Sequence, residues 1–471
     1  MRHLPRSALL ALAATLLLCL PALRGEFLGF DDELLVLDNP KVHGLSVANI
    51  KAAFTTFDPE LYVPLTLLTY QVEWLLVGDD PLLYHVTNLL LHLASTLFVF
   101  LIARVFFTDR VSALCAVLFS LHPVQVEAVA WISGRKDLLA SMFFLASTYT
   151  YLHWKREGTG KFLSVLLFAL GLLAKVSIFP LPLALLLLDY LSEKRVTKQD
   201  IIEKWPYAVL SIVFLAVALL GKQTQVVTEP QHLLLLSFAS VPLSLLHSVY
   251  PVGLTIFYPF IDPVSVSHPQ IAGGMLVLLI LAGLSVFVRK KFHVALFALL
   301  WFIVLLAPSL LNMFKGGELG VPDIYLTSDR YVYLAILGPV LLLGFLISRY
   351  ERRWWAVLPV LGIFGVLTLI QIHTWHDSTA LFRRVVDTGQ PAHVAYTNLG
   401  SYVAQAGDLQ EAEALYEQSL AIRNTSRGLY NLVQIKGKLG KKDEARALYN
   451  EYVKLRPKEY DKHALLRKFF E

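Results

Sequence analysis

The sequence predicts an all-α protein, a polytopic bundle of about 11 membrane-crossing helices followed by a short helical repeat array. Three observations lead there. Apolar runs of roughly 20 residues recur along the chain, each long enough to cross a hydrocarbon core of about 30 Å. The composition is 56% hydrophobic and 16% charged, with mean hydropathy +0.58, whereas soluble domains carry about a quarter charged residues. From about residue 375 the chain turns polar, and two stretches echo each other. The net charge of +5 comes from basic residues in short inter-helix stretches, which reads as membrane topology rather than nucleic-acid binding. Cys19 and Cys115 both fall in apolar segments, so neither a disulfide framework nor a thiolate metal site is expected.

The N-terminal run "ALLALAATLLLCLPAL" is read as a retained anchor, because it lacks a clean small-x-small site; a cleaved signal peptide is the alternative. Basic clusters at Arg2/Arg6, Arg104/Arg110, Lys155/Arg156/Lys161, Lys194/Arg195/Lys198, Arg289/Lys290/Lys291 and Arg349/Arg352/Arg353 are placed in the cytoplasm. Crossings are then expected near 8–24, 81–107, 111–128, 137–154, 204–221, 271–288, 292–311, 331–348 and 354–373. The stretch 162–190 would be about 45 Å long as one helix. Basic residues on both flanks favour a squat hairpin with its apex near Lys175, a single long pass being the rival. Parity then keeps 232–250 from crossing, so 232–262 is expected to be re-entrant or interfacial. The first extracytoplasmic loop covers about 25–80, the membrane domain 1–373 and the polar tail 374–471, with the tail outside.

In the tail, "NLGSYVAQAGDLQEAEALYEQ" from Asn398 echoes "NLVQIKGKLGKKDEARALYNE" from Asn431. Gly407 matches Gly440, and Ala414-Leu415-Tyr416 matches Ala447-Leu448-Tyr449. A period of about 33–34 residues, with small residues where two helices must touch, resembles tetratricopeptide repeats. A half-repeat from Trp375 to Pro391 splices the array to the last crossing. The fragment is either a docking surface for a partner or acceptor peptide, or a structural cap.

The polar residues near the expected outer face are the candidates for function. "GFDDELLVLDNP" places Asp31 beside Asp32 at a membrane edge, where like charges repel and one carboxyl should hold its proton more tightly; a solvated turn is the plain alternative. Arg135, Lys136, Lys175 and Arg330 break the inside bias of basic residues, and an ionised side chain in an apolar segment costs roughly 2.5–3.5 kcal/mol unless compensated. The compensating group is a lipid phosphate, or, for Arg135 and Arg330, a local pair with Asp137 and Asp329. In "PLLYHVTNLLLHLA", His85, Asn88 and His92 share a helix face, as interhelical hydrogen-bonding residues or as part of a site. No convincing set of metal ligands stands out.

Taken in order, "FDDELLVLDNP", "YVPLTLLTY", "PLLYHVTNLLLHL", "HPVQVEAVAWISGRKDLLA", "LAKVSIFPLPLALLLLDYL", "SDRYVYLAILG" and the repeat tail resemble the C-type (GT-C) membrane glycosyltransferases. The branch is the one fused to tetratricopeptide repeats and related to protein O-mannosyltransferases. The resemblance implies a polyprenyl-phosphate-linked hexose as donor, a Ser or Thr hydroxyl as acceptor, and no nucleotide sugar. It implies an active-site aspartate at Asp31, with Asp32 beside it. Two departures leave the sugar open: relatives often have arginine where Val63 stands, and glutamate after the lysine where Val176 follows Lys175.

Glycosyl transfer from a phosphate needs a base for the acceptor proton and cations for the leaving phosphate. Asp31 and Asp32 are assigned to the first task and Arg135, Lys175 and Arg330 to the second. His85, Asn88, Glu127, Asp137, Asp329 and Tyr331 are supporting residues. No cofactor is implied, and metal dependence is left open. Expected partners are the lipid-linked donor, an acceptor protein and membrane lipids, without nucleic acid. The alternatives are a lipid or glycan acceptor, or a non-catalytic membrane scaffold built on the repeats. A bacterial inner membrane with a periplasmic active face is the expected location, or the lumenal face of the endoplasmic reticulum in a eukaryote.

Overall fold

The computed structural model describes residues 4–221, 230–288, 293–318 and 321–470. Arg2 and the Arg289/Lys290/Lys291 cluster, used above for topology, lie outside the described residues. The chain divides into two compact units. The first comprises Met1–Leu254, Asp262–Met313 and Leu326–His376; the second comprises Thr255–Ile261, Phe314–Tyr325 and Asp377–Glu471. Both are helical, and the described strands are the antiparallel pair Phe314–Glu318 and Val321–Ile324.

In the first unit, seven helices are long and apolar enough to cross a membrane: Arg6–Arg24, Pro81–Ala103, Val176–Glu193, Gln231–Val249, Pro269–Phe287, His293–Leu310 and Arg352–Thr374. Two bent pairs add further spans, Asp109–Ser120 with Pro123–Ala130 at 55° and Asp329–Ala335 with Leu337–Arg349 at 48°. Lys161–Ala174 and Trp205–Gly221 are shorter apolar helices. Pro269–Phe287 and Arg352–Thr374 leave most of their apolar side chains uncovered. Such a surface is stable against hydrocarbon and not against water. The protein is a multi-pass membrane protein.

The helices of 161–193 break at Lys175, whose backbone is extended. Gln231–Val249 is long and apolar enough for a full crossing, as in the rival count that makes 162–190 a single pass, while the parity of the basic loops favours a re-entrant or interfacial placement. The Arg135–Glu157 helix is long enough to cross but carries charges at both ends, so it misses the hydropathy of the others.

The first loop is folded rather than extended. Helices Val47–Thr55 and Pro64–Val77 enclose a small core of Leu35, Val36, Val42, Ala53, Val63, Leu67, Tyr70 and Tyr84, to which Ile132 from a later segment contributes. Ser46 caps the first of these helices by accepting from the Asn49 amide at 3.0 Å, satisfying one of the donors left open at a helix start.

The second unit contains the repeats, with helices Ser378–Asp387, His393–Gln405, Leu409–Ile422, Ser426–Lys438, Lys442–Leu455 and Tyr460–Arg467. Gly407 and Gly440, matched by the sequence echo, both adopt left-handed backbone, with φ of 97° and 79°. They close equivalent helix turns where a side chain would be strained. The unit also takes in Thr255–Ile261 and Phe314–Tyr325, which the sequence assigned to the membrane domain. Pro259 bridges to Tyr325, and Phe257 stacks on the Tyr325 ring at 4.9 Å.

One glycine decides how closely two site-bearing helices approach. A Cβ on Gly134 would lie 2.5 Å from the Ala128 carbonyl oxygen and 3.0 Å from the Ala128 Cα. Backbone cannot yield as a side chain can, so Gly134→Ala should cost about 1–3 kcal/mol and lower the thermal midpoint in detergent. An unchanged midpoint would show that the approach is not tight.

Candidate active site

The adjacent aspartates separate because the backbone turns between them. Asp31 has φ of +95°, a region that Asp visits more readily than most residues, while Asp32 is already helical at the start of the Glu33–Leu37 turn. The Asp31 side chain is 47% exposed, and Asp32 is fully buried. The Asp32 carboxylate accepts from the Leu28 amide and from the Ser133 amide, each at 2.9 Å. It thereby ties the first loop to the segment ahead of the Arg135–Glu157 helix. Burial pushes the Asp32 carboxyl up to about 6, against its hydrogen bonds and the Lys136 charge. Like-charge repulsion from Asp31, the cause expected from the sequence, is not what raises it. Asp32 thus holds the first loop in place through two backbone amides.

Asp31 faces Lys136, whose Nζ stands 3.9 Å from its Oδ2. Lys136 is buried, lies 4.6 Å over the Trp131 ring, and has no hydrogen-bond acceptor among the described residues. Lys175, Asp137 and Arg330 are within electrostatic reach of it. Lys175 donates to Asp137 Oδ1 at 2.5 Å, and Asp137 Oδ2 has no donor among the described residues. Arg330 pairs with Glu127 through its guanidinium, and its backbone amide donates to Glu127 Oε2 at 3.0 Å. Its Nε has no acceptor among the described residues. Two aromatic rings hold the cations together. Trp131 lies under Lys136 and Arg330, the latter at 5.2 Å, while Tyr331 lies 4.8 Å from Arg330 and 5.7 Å from Lys175. Phe30, one residue before Asp31, packs on Trp131 with ring centroids 5.1 Å apart. Asp329 is buried 3.4 Å from His247.

Arg135 does not join this group. Its guanidinium is fully buried and donates to Asn88 Oδ1, to Thr69 Oγ1 at 3.1 Å, to Glu73 at 3.0 Å and to the Tyr84 carbonyl at 2.7 Å. Successive residues on a helix point about 100° apart, so Arg135 turns to the first loop while Lys136 turns to Asp31. The assignment of Arg135 to a donor phosphate is therefore corrected: it anchors the loop. Asn88 serves the same structure, donating to the Trp131 carbonyl at 2.8 Å. His85 is buried with its ring against Gly25. His92 joins helices through the Tyr333 hydroxyl at 2.8 Å and the Ser120 carbonyl at 3.2 Å, the interhelical role open to it from the sequence.

Three contributors were not selected from the sequence. Lys136 stood among the cations outside the bias but was passed over for its neighbour. Trp131 lies inside the quoted "VEAVAWISGRKD". Glu73 carries no local signal, since its partner is 62 residues away. Among the described residues, the one cluster of three carboxylates able to hold a metal is Glu413, Glu417 and Glu444 in the repeats. The Lys436 ammonium already sits there, at 2.6, 2.7 and 2.6 Å.

A helical membrane bundle with a carboxylate and cations gathered at its helix breaks, joined to helical repeats, defines a repeat-bearing membrane glycosyltransferase class. Comparison with known proteins agrees. Residues 64–220 match the family described as dolichyl-phosphate-mannose-protein mannosyltransferase, and residues 392–458 match tetratricopeptide repeats. The chain is similar to protein O-mannosyl-transferase TMTC3 of Mus musculus, 35% identical over 132 residues, covering 26% of this chain and 14% of that protein. It is similar to TMTC1 of Homo sapiens, 32% identical over 159 residues, covering 31% and 18%. Against protein O-mannosyl-transferase F38B6.6 of Caenorhabditis elegans the identity is 30% over 203 residues, covering 40% and 29%. The matches thus span between 14% and 29% of these relatives' own length. A segment similar to that mannosyltransferase family is thus followed by a segment similar to tetratricopeptide repeats.

Replacing Arg135 with Met leaves Glu73 buried without its cation, which should destabilise the fold by about 3–5 kcal/mol. Lys136→Met, which removes a buried ammonium lacking a close acceptor, should leave the thermal midpoint unchanged or raised. The opposite ranking in detergent melts would reverse the two roles. Asp32 gives a pH dependence. Its carboxyl binds a proton more tightly folded, at about 6, than at its ordinary value of 3.8. The stability it contributes is full below pH 3.8 and is lost as the pH rises through 6, on the order of 3 kcal/mol. The Asp32→Asn variant should therefore lose less stability than the parent between pH 4 and pH 7; parallel profiles would refute the assignment.

Proposed function

We propose that this protein transfers mannose from a polyprenyl-phosphate-linked donor to a Ser or Thr hydroxyl of an acceptor protein. The observation that carries the proposal is the group around Lys136. An exposed carboxylate on Asp31, the Lys136 ammonium and the Arg330 Nε–H all lack a close partner that would occupy them fully, and they lie within one electrostatic neighbourhood. The names of the relatives support mannose and a protein acceptor, and the family description supports a lipid-phosphate donor.

In this mechanism Asp31 accepts the proton of the acceptor hydroxyl as its oxygen bonds to C1 of the sugar. The bond from C1 to the phosphate oxygen breaks, and the polyprenyl phosphate leaves with the electron pair. Lys136 and Arg330 meet the charge that develops on that phosphate, where fixed donors act most strongly because they need no reorganisation. Lys175 acts from one step further back, holding Asp137 beside them. The cations of the chain serve the leaving group without a required metal. The reaction belongs to the extracytoplasmic face, periplasmic in a bacterium and lumenal in a eukaryote.

The test is turnover of a radiolabelled polyprenyl-phosphate mannose with Ser/Thr peptides, using protein in detergent or nanodiscs. Asp31→Asn should lower the transfer rate by about 10²–10⁴-fold with little change in thermal midpoint, and EDTA should leave wild-type turnover unchanged. Lys136→Met should weaken donor binding. Equal turnover by the Asp31→Asn variant removes the base, and transfer to lipid or glycan in place of peptide replaces the acceptor.

A further inference from the structure

The second unit holds a cavity of about 150 Å³ lined by Asp323, His393, Val394, Thr397, Arg423, Thr425 and Arg427. Its floor is built by the repeats. His393 opens the helix His393–Gln405, Arg423 follows the helix Leu409–Ile422, and Thr425 caps Ser426–Lys438 by accepting from the Gly428 amide at 3.2 Å. Asp323 comes instead from the short strand Val321–Ile324. Its carboxylate is held by His393 Nε2 at 3.0 and 3.1 Å and by the Arg423 guanidinium. Although burial alone would raise the Asp323 carboxyl, these partners hold it below the usual carboxylate range.

Two features point beyond a closed ion pair. Among the described residues the lining carries two guanidinium groups and an imidazole against a single carboxylate, so positive charge is in excess there. Arg427 is exposed and has neither a hydrogen-bond acceptor nor an ion-pair partner among the described residues. The carboxylate already present arrives on extended backbone, at the edge of a two-stranded pair. The cavity therefore has the donors, the charge and the approach direction for an acidic side chain offered by an extended polypeptide. Its volume equals several times the roughly 30 Å³ that one water takes in the liquid, enough for a carboxylate and its methylene groups.

We propose that this cavity is a docking site for an acidic residue of an extended polypeptide, with Asp323 an internal occupant of its His393/Arg423 side. Calling that polypeptide the acceptor rests on the function proposed above; the binding chemistry does not. Arg427 takes the incoming carboxylate. The acceptors favoured for sugar transfer would then carry Asp or Glu at a set distance from the modified hydroxyl.

The experiment measures fluorescence polarisation of the full-length protein in detergent with a labelled Gly/Ser/Thr peptide bearing one central glutamate, and with its glutamine counterpart. The glutamate peptide should bind roughly tenfold more tightly. Arg427→Gln, at an exposed side chain, should abolish the difference while leaving the thermal midpoint unchanged. Asp323→Asn, which removes a negative charge from the lining, should enlarge the difference; if that variant is unstable, the Arg427→Gln comparison decides alone. Equal affinity of the two peptides, or no binding of either, overturns the proposal. Displacement of the glutamate peptide by low-millimolar inorganic phosphate would make the cavity a small-anion site and overturns the polypeptide part. Peptide binding is read without donor sugar, so its failure with normal transfer leaves the proposed function standing, and the reverse outcome leaves the docking site standing.

Discussion

A charge removed from water has to be met by an opposite one, and that constraint orders the polar interior of the membrane unit. Arg135 is met by Glu73, Lys175 by Asp137 and Arg330 by Glu127. None of these pairs is local. Each joins segments that enter the structure separately, so the network also fixes how the first loop, the Arg135–Glu157 helix, the helix break at Lys175 and the segment that begins the bent span at Asp329 meet. The function proposed here uses what the network leaves over. Lys136 Nζ, Asp137 Oδ2 and Arg330 Nε are charged side-chain atoms among the buried polar groups that find no hydrogen-bond partner within the described residues.

Helix breaks are what make such a site compatible with a hydrocarbon setting. Backbone that leaves the helix exposes polar groups that lipid cannot satisfy, so it is tolerated where it is buried in protein or lines a wet cavity. Lys175 sits at the break after Lys161–Ala174, Glu127 beyond the bend after Ser120, and Arg330 at the start of the span bent after Ala335. Gly134 allows the segment before Lys136 to touch the Ala128 backbone. The first loop completes the arrangement through Asp32. By giving up its carboxylate to two backbone amides, Asp32 holds the turn that leaves Asp31 at the surface.

The repeat unit obeys the same electrostatics in a different setting. Lys436 gathers Glu413, Glu417 and Glu444 around one ammonium, which closes the acidic side of the array. On another part of the same unit, cations outnumber carboxylates around Asp323. An array this short gains from segments outside the repeats, and the strand carrying Asp323 is one such addition. The region matched by the mannosyltransferase family, residues 64–220, includes Lys136, Asp137 and Lys175 but neither Asp31 nor Arg330. Those two join the site through the fold.

Periodicity, composition and repeat spacing determined much of this protein from the sequence alone. Helices that must bury an apolar surface in lipid announce themselves as long apolar runs, and repeats that must stack alike keep the same small residues, as Gly407 and Gly440 do. The resemblance narrowed the proposed base to a two-residue window and brought Lys175 and Arg330 into consideration. The tertiary structure alone decided the roles inside those windows. Whether Asp31 or Asp32 faces outward depends on one backbone turn, and whether Arg135 or Lys136 reaches it depends on a rotation of about 100° around a helix. The partners of Arg135, Lys175 and Arg330 lie 62, 38 and 203 residues away. Pairing over such separations is set by packing, which no local pattern of residues encodes.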